Sequence, residues 1–303
     1  MRVERGYRSK DVEDARGDAP ARRRGGGGTA LKLGGGGGAL VVIIALIANA
    51  LGVDLGGGGG SSGTGANVGQ QGAPGPSQPA PQGPPAGAPD PQSDAVDLVN
   101  QVTDDIQRVF AAEFAREGLE YRRAKLRLFR DAVDTGCGMS SAQIGPFYCP
   151  PDEKAYIDLS FYDDLRARFG APGDFAQAYV IAHEFGHHVQ NLLGIDERVA
   201  RQAGNDKRKQ NELSVRQELQ ADCFAGVWAA HADPKLAIDP DDIEEAMTAA
   251  RAIGDDRLQK QAGQAVDPRS FTHGTSAQRA QWFRTGREAG TLGACDTFAV
   301  ERP

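Results

Sequence analysis

The run Asp174-Phe175-Ala176-Gln177-Ala178-Tyr179-Val180-Ile181-Ala182-His183-Glu184-Phe185-Gly186-His187-His188 carries a fold signal and a chemical one together. Phe175, Ala178, Tyr179 and Ala182 recur at helical spacing, Pro172-Gly173 precedes them and Gly194 comes after, so the spacing predicts a helix. On a helix, residues four apart differ by about 40° in direction, which stacks His183 and His187 one turn apart where they can share a cation. Glu184 points about 100° from His183 and about 60° from His187. It flanks the shared point instead of facing it, which is the position of a general base acting on an activated water. The pattern is that of a helical zinc-hydrolase site. His188 points about 100° away from His187 and reads as a packing histidine.

Two imidazoles leave a catalytic zinc one protein ligand short, with a further position kept open for water. Glu218 is the candidate. It lies in Arg216-Gln217-Glu218-Leu219-Gln220-Ala221-Asp222-Cys223-Phe224-Ala225-Gly226, on a helix predicted from about residue 211 to residue 230. Asp222 comes one turn later on the same face and is suited to accept the outer ring N–H of His183 or His187. The small side chains of Ala221 and Ala225 share that face and would let the two helices approach closely. Glu212 is about 120° off the Glu218 face, and His231 lies on nearly the opposite side of the helix, so both fit poorly as ligands. His273 precedes a helix that Thr275 and Gln278 begin as a capping box, with Gly290 as its stop. It reads either as a donor to the oxyanion of a tetrahedral intermediate or as a turn residue.

Around these residues the chain of 303 holds 40 glycines and 17 prolines, too many for a packed domain, and they are localised. Runs at Gly25–Gly28, Gly34–Gly38 and Gly56–Gly60, with the Gly, Pro, Gln, Ser and Ala stretch from Ser61 to Ser93, read as tether. Residues 34–52 carry no charge and enclose an apolar core from Ala39 to Leu51, flanked upstream by Arg22, Arg23, Arg24 and Lys32. That suggests a membrane anchor with its N-terminal side in the cytoplasm. Ala48-Asn49-Ala50 keeps a cleaved signal as the rival, and either would export the residues downstream of it. The expected division is a basic cytoplasmic segment at 1–33, an anchor or signal at 34–55, a linker at 56–93 and a catalytic domain at 94–303.

Within that domain, Ser93 is a candidate cap for a helix with Val96, Val99, Val102, Ile106, Val109, Phe110 and Phe114 on its apolar stripe, stopped by Gly118. Lys125–Leu128 alternates like a strand, Ala155–Leu159 reads as another, and Ser160 opens a short helix. The Tyr156 strand is the candidate for an exposed edge that binds an extended peptide. The class is α+β, predominantly helical, with a small antiparallel or mixed sheet. Cys137, Cys149, Cys223 and Cys295 suit an oxidising compartment, and no C-x-x-C pair favours a thiolate zinc site. Of three possible pairings, Cys137 with Cys149 and Cys223 with Cys295 is preferred. Residues 94–303 carry 25 Lys plus Arg against 34 Asp plus Glu, a net of −9, which argues against nucleic acid and anionic lipid surfaces as partners.

With these residues in view, the chain resembles the neutral zinc metallopeptidase family of membrane-tethered bacterial proteins. The likeness runs over Gly145-Pro146-Phe147-Tyr148-Cys149-Pro150, Tyr156 to Tyr162, His183 to Gln190, Gln217 to Gly226 and Phe271 to Gln278, with Val12-Glu13-Asp14 in the leader. The resemblance implies a zincin-like fold and peptide hydrolysis with one Zn2+ in the cell envelope. His183, His187 and Glu218 match its metal ligands, Glu184 its base, and His273 a recurrent segment. A peptide or protein substrate is expected. A catalytically silent, metal-stabilised envelope binding module and a zinc amidase acting on cell-wall material are the alternatives.

Overall fold

A computed structural model describes residues 1–18, 90–142, 145–167 and 170–303. The anchor or signal expected at 34–55 lies outside them, and among the described residues no helix is long and apolar enough to cross a membrane. Eight α-helices and two small sheets make up the described fold, in keeping with the predominantly helical α+β class.

Helix α1 (Ser93–Arg116) buries the stripe read from its sequence, with Val99, Val102, Ile106 and Phe110 fully enclosed. Gln92, not Ser93, occupies the cap position, and Ser93 is the first helical residue. The chain then forms β2 (Lys125–Phe129), a hairpin of β3 (Ala132–Thr135) and β4 (Gly138–Ser141), β5 (Phe147–Cys149) and β6 (Lys154–Asp158). The main sheet has the order β1-β2-β6-β5, where β1 is Val12–Asp14; β1 and β6 run parallel to β2, and β5 runs antiparallel to β6.

Two sequence expectations change here. Tyr156 does not lie on an exposed edge: β6 is flanked on both sides, and β5 is the outer strand. Pro150-Pro151-Asp152 and the left-handed Glu153 (φ 53°) turn the chain tightly enough for β5 to fold back on β6, a short pairing hidden inside what reads as a loop. Residues 1–18 are also not a segment apart from the domain. Their β1 pairs Val12 with Leu126 and Asp14 with Leu128, and the buried Asp11 carboxylate accepts from Arg123, Lys125 and Gln107 at 2.5, 2.8 and 3.0 Å.

The helical layer continues as α2 (Ser160–Ala167), α3 (Asp174–Leu192), α4 (Ile195–Ala203), α5 (Lys207–His231), α6 (Pro240–Ala252), α7 (Asp255–Gln261) and α8 (Ser276–Ala289). Helix α3 is buried on every face from Phe175 to Gln190, so it forms the centre of the core and not an amphipathic wall. It crosses α5 where Gly186 meets Ala221: a Cβ at Gly186 would stand 3.0 Å from both the Ala221 Cα and its carbonyl oxygen. Helix α5 meets α8 more closely still. A Cβ on Gly226 would fall 2.0 Å from the Phe283 carbonyl oxygen, and one on Gly286 would fall 1.9 Å from that of Cys223. These positions need hydrogen in place of a side chain because backbone touches backbone. The bonds Cys137–Cys149 and Cys223–Cys295 both form, the first stapling the hairpin to β5 and the second fastening α5 to the C-terminal tail.

Candidate metal centre

The crossing of α3 over α5 determines what faces what. With Gly186 seated on Ala221, the two motif imidazoles are turned toward Glu218, one helical turn before Ala221 on α5. His183 Nε2 lies 3.2 Å from Glu218 Oε2, and His187 Nε2 lies 3.5 Å from Glu218 Oε1. Among the described residues this is the one group of three or more His, Cys, Asp or Glu side chains placed to hold a metal ion, with all ligand atoms within 4.8 Å of one another. All three residues are buried.

The donor set fits zinc. Tetrahedral ligands at zinc bond lengths stand about 3.3 Å from one another, close to the two separations found here. His187 Nε2, Glu218 Oε2 and Glu184 Oε2 are buried without a hydrogen bond, which is costly unless something else binds them. The 3.2 Å approach of Glu218 Oε2 to His183 is within ion-pair range but does not make a hydrogen bond of good geometry. Electrostatics agrees. Burial alone lowers the His183 pKa, but the charge and hydrogen bond of Asp222, helped by Glu218, carry it up to about 9. Burial alone raises Glu218, yet the rings of His273, His187 and His183 hold its carboxyl well below the ordinary range. A carboxylate kept ionised beside two ring nitrogens is a site for positive charge, which a bound cation would supply in place of a ring proton.

Each ring is held from behind, which fixes its tautomer. His183 Nδ1 faces Asp222 Oδ1 at 2.9 Å, and His187 Nδ1 faces Gln190 Oε1 at 2.9 Å, so both rings donate outward and keep Nε2 free for the shared point. Gln190 is itself oriented by donating its amide to the Gln217 carbonyl at 2.7 Å and to Gln220 Oε1 at 3.1 Å. Asp222 is fully buried and carries more than one ring. Arg279 grips it with Nε at 2.8 Å and Nη2 at 2.9 Å, and the Tyr179 hydroxyl donates to it at 2.5 Å. Although burial alone would raise the Asp222 carboxyl, Arg279 and His183 keep it below its usual value.

Glu184 sits beside the shared point in its own desolvated position, where burial pushes its carboxyl up to about 7. It lines a cavity of about 500 Å3, counting the open mouth, together with His183, His273 and Arg279. His273 is brought there by Asp255, whose Oδ2 accepts the backbone N–H groups of Thr272, His273 and Gly274 at 2.7, 2.6 and 3.0 Å. The other oxygen of Asp255 lies 3.1 Å from His273 Nδ1. The capping box of Thr275 and Gln278 forms at the start of α8, with Gly290 as its left-handed end.

The remaining candidates fall away from the centre. His188 packs, with Tyr148 Oη at 2.8 Å on Nδ1 and the Arg122 carbonyl at 2.6 Å on Nε2. Glu212 is exposed and pairs with Arg216, while His231 reaches the Gly290 carbonyl. Sequence periodicity does not single out Gln190, Arg279 or Asp255. Gln190 is within its reach, because it is three residues after His187 on the same helix. Arg279 and Asp255 give no local signal.

The chain matches, over residues 1–298, the family described as "Putative neutral zinc metallopeptidase". It is 48% identical over 208 residues to the uncharacterized protein YpfJ of Escherichia coli (strain K12), spanning 68% of this chain and 72% of that one. It is 46% identical over 191 residues to the uncharacterized protein Mb2605 of Mycobacterium bovis and to the uncharacterized protein Rv2575 of Mycobacterium tuberculosis, spanning 59% of this chain and 64% of each relative. No solved structure matches. A match across nearly the whole length, over a fold that gathers His183, His187 and Glu218 at one buried point, shows that this chain belongs to the neutral zinc metallopeptidase family.

Proposed function

We propose that the chain hydrolyses peptide bonds with one Zn2+ held by His183, His187 and Glu218. The observation that carries this reading is the convergence of three buried ligand atoms beside Glu184, a carboxylate with an unpartnered oxygen in an open cavity. A site that only stabilised the fold would close its fourth position with another protein ligand and would have no use for Glu184.

Zinc bound there would polarise a carbonyl and acidify water toward neutrality. Glu184, beside the two ring nitrogens and open to the cavity, is placed to accept the proton from the attacking water and deliver it to the leaving amine. His273, held by Asp255 and the Thr272 hydroxyl at the cavity wall, is placed to donate a hydrogen bond to the oxygen that becomes negative. Asp222 and Gln190 hold the two ligand rings at fixed orientation through the cycle. Pro146, just before β5, lines the same cavity, so the outer edge of β5 is the strand edge available to the main chain of an extended substrate.

The two disulfides suit a domain that matures in an oxidising, extracytoplasmic compartment. The test is cleavage of a diverse peptide library by the wild type and by Glu184→Gln, with zinc content measured on both. Glu184→Gln that keeps full zinc and loses at least about 1000-fold in turnover, with His273→Ala losing about 100-fold or more, supports the reading. A wild type that holds zinc and cleaves no peptide overturns it in favour of a binding module, and release of muropeptides would favour an amidase.

A further inference from the structure

Much of the cavity lining is apolar. Phe161 from α2, Val180 from α3, Ile253 just past α6 and Leu258 from α7 surround it, with Pro146 before β5. Val180 stands one turn before His183 on the helix that carries Glu184, so the apolar space begins next to the reacting groups. The charged groups at its floor are already engaged: Arg279 is gripped by Asp222, and Glu184 and His183 belong to the centre. Apart from His273, engaged by Asp255, none of Pro146, Phe161, Val180, Ile253 and Leu258 can solvate an added charge, and a charged side chain placed against them would lose its water without return. We infer, resting on the peptidase reading, that this space is a specificity pocket that takes a bulky apolar side chain flanking the scissile bond. Val180 lines it on the helix that carries Glu184.

Two measurements test the pocket separately from the activity. In the library, cleavage should favour Leu, Ile, Phe or Met at one position next to the cut by about tenfold or more over Asp, Lys and Gly. Val180→Phe should shift that preference toward Ala. Independently of turnover, zinc-loaded Glu184→Gln should bind leucine hydroxamate at least about tenfold more tightly than aspartate hydroxamate, as read by calorimetry. Affinities within twofold, or cleavage indifferent to the flanking residue, overturn the pocket. Selective hydroxamate binding with no cleavage by the wild type sinks the peptidase reading and leaves the pocket standing.

A separate observation concerns the N-terminal residues. Arg2 N–H donates to the Leu236 carbonyl at 2.7 Å, Gly6 N–H to Asp97 at 2.8 Å and Ser9 N–H to Asn100 at 2.8 Å, and the Asp11 carbonyl accepts from Leu126 N–H at 2.8 Å. These contacts and the β1–β2 register join residues 1–18 to α1, to the sheet and to the turn after α5. A strand cannot pair across a bilayer. The geometry points to residues 1–18 and residues 90–303 sharing one compartment, whatever course the intervening residues take, in place of the cytoplasmic N-terminus expected from the basic flank.

Single cysteines at exposed positions test it in the full chain: Arg5→Cys and, on α8, Glu288→Cys. In intact cells, a membrane-impermeant maleimide should either label both or spare both until the cells are permeabilised. Labelling of one with protection of the other overturns the inference.

Discussion

Asp222→Asn removes a charge on which several groups converge. The side chain is 0% exposed and receives two hydrogen bonds from Arg279, one from Tyr179 and one from His183. The amide is nearly the same size, so no cavity opens and the effect is electrostatic. It leaves the Arg279 guanidinium, also buried, with Glu218 Oε2 at 3.9 Å as its nearest remaining anion. Breaking a buried pair by removing one partner costs about 3–5 kcal/mol. Against a typical total of about 5–15 kcal/mol, that is a large part of the stability. Zinc affinity should fall as well, by about 10–100-fold, because a neutral amide in place of the carboxylate makes the His183 ring a weaker ligand. Urea unfolding of the zinc-free protein reads the first quantity, and competition against a chelator reads the second. Arg279→Met alone should cost a similar amount, and the double variant much less than the sum, since the double change leaves no orphaned charge. Losses below about 1 kcal/mol with unchanged zinc affinity, or simple additivity, would refute the assignment of Asp222 and Arg279 as one unit.

Alanine at Gly186 should gain up to about 1 kcal/mol from helix propensity alone, so a net loss of about 1–3 kcal/mol with weakened zinc binding would identify the α3–α5 crossing as the limit; denaturant midpoints decide. Cys223→Ala with Cys295→Ala should lose about 4 kcal/mol on chain-entropy grounds, from the separation of 72 residues, and a loss under about 1 kcal/mol would contradict this. Acid should loosen β1. Burial alone raises the Asp11 carboxyl, but Lys125 and Arg123 hold it below the usual range, so its contribution is present above the unfolded value and is lost as the pH falls through the folded one. Protection of the Leu126 amide against hydrogen exchange should therefore fall below about pH 4, and unchanged protection at pH 3 would reject the link.

Much of the centre could be read from helical periodicity, because the groups that matter lie one turn apart. His183 and His187, and then Glu218 and Asp222, are each a local pair, and Ala221 announced the close crossing that Gly186 completes. Periodicity is silent where a partner comes from a distant element. Arg279 reaches Asp222 across 57 residues, and Asp255 reaches His273 across 18, with no repeating pattern to couple them. The sheet was half legible for a related reason. Lys125–Phe129 and Lys154–Asp158 have five residues each, the first alternating through Leu128 and the second with an apolar centre, whereas β1 and β5 have three each and acquire their strand character from the neighbour they pair with. Placing Tyr156 at an edge came directly from not seeing β5.

Helix α5 carries Glu218, yet what steadies it arrives late in the chain. Arg279 holds the turn containing Asp222, Cys295 locks Cys223, and Gln220 donates to the Cys295 carbonyl at 2.8 Å. A ribosome has therefore delivered His183, His187 and Glu218 at least some sixty to eighty residues before it delivers Arg279 and Cys295. The nascent polypeptide carries the motif without the rigidity, and the complete clamp on α5 forms only once the last stretch has emerged.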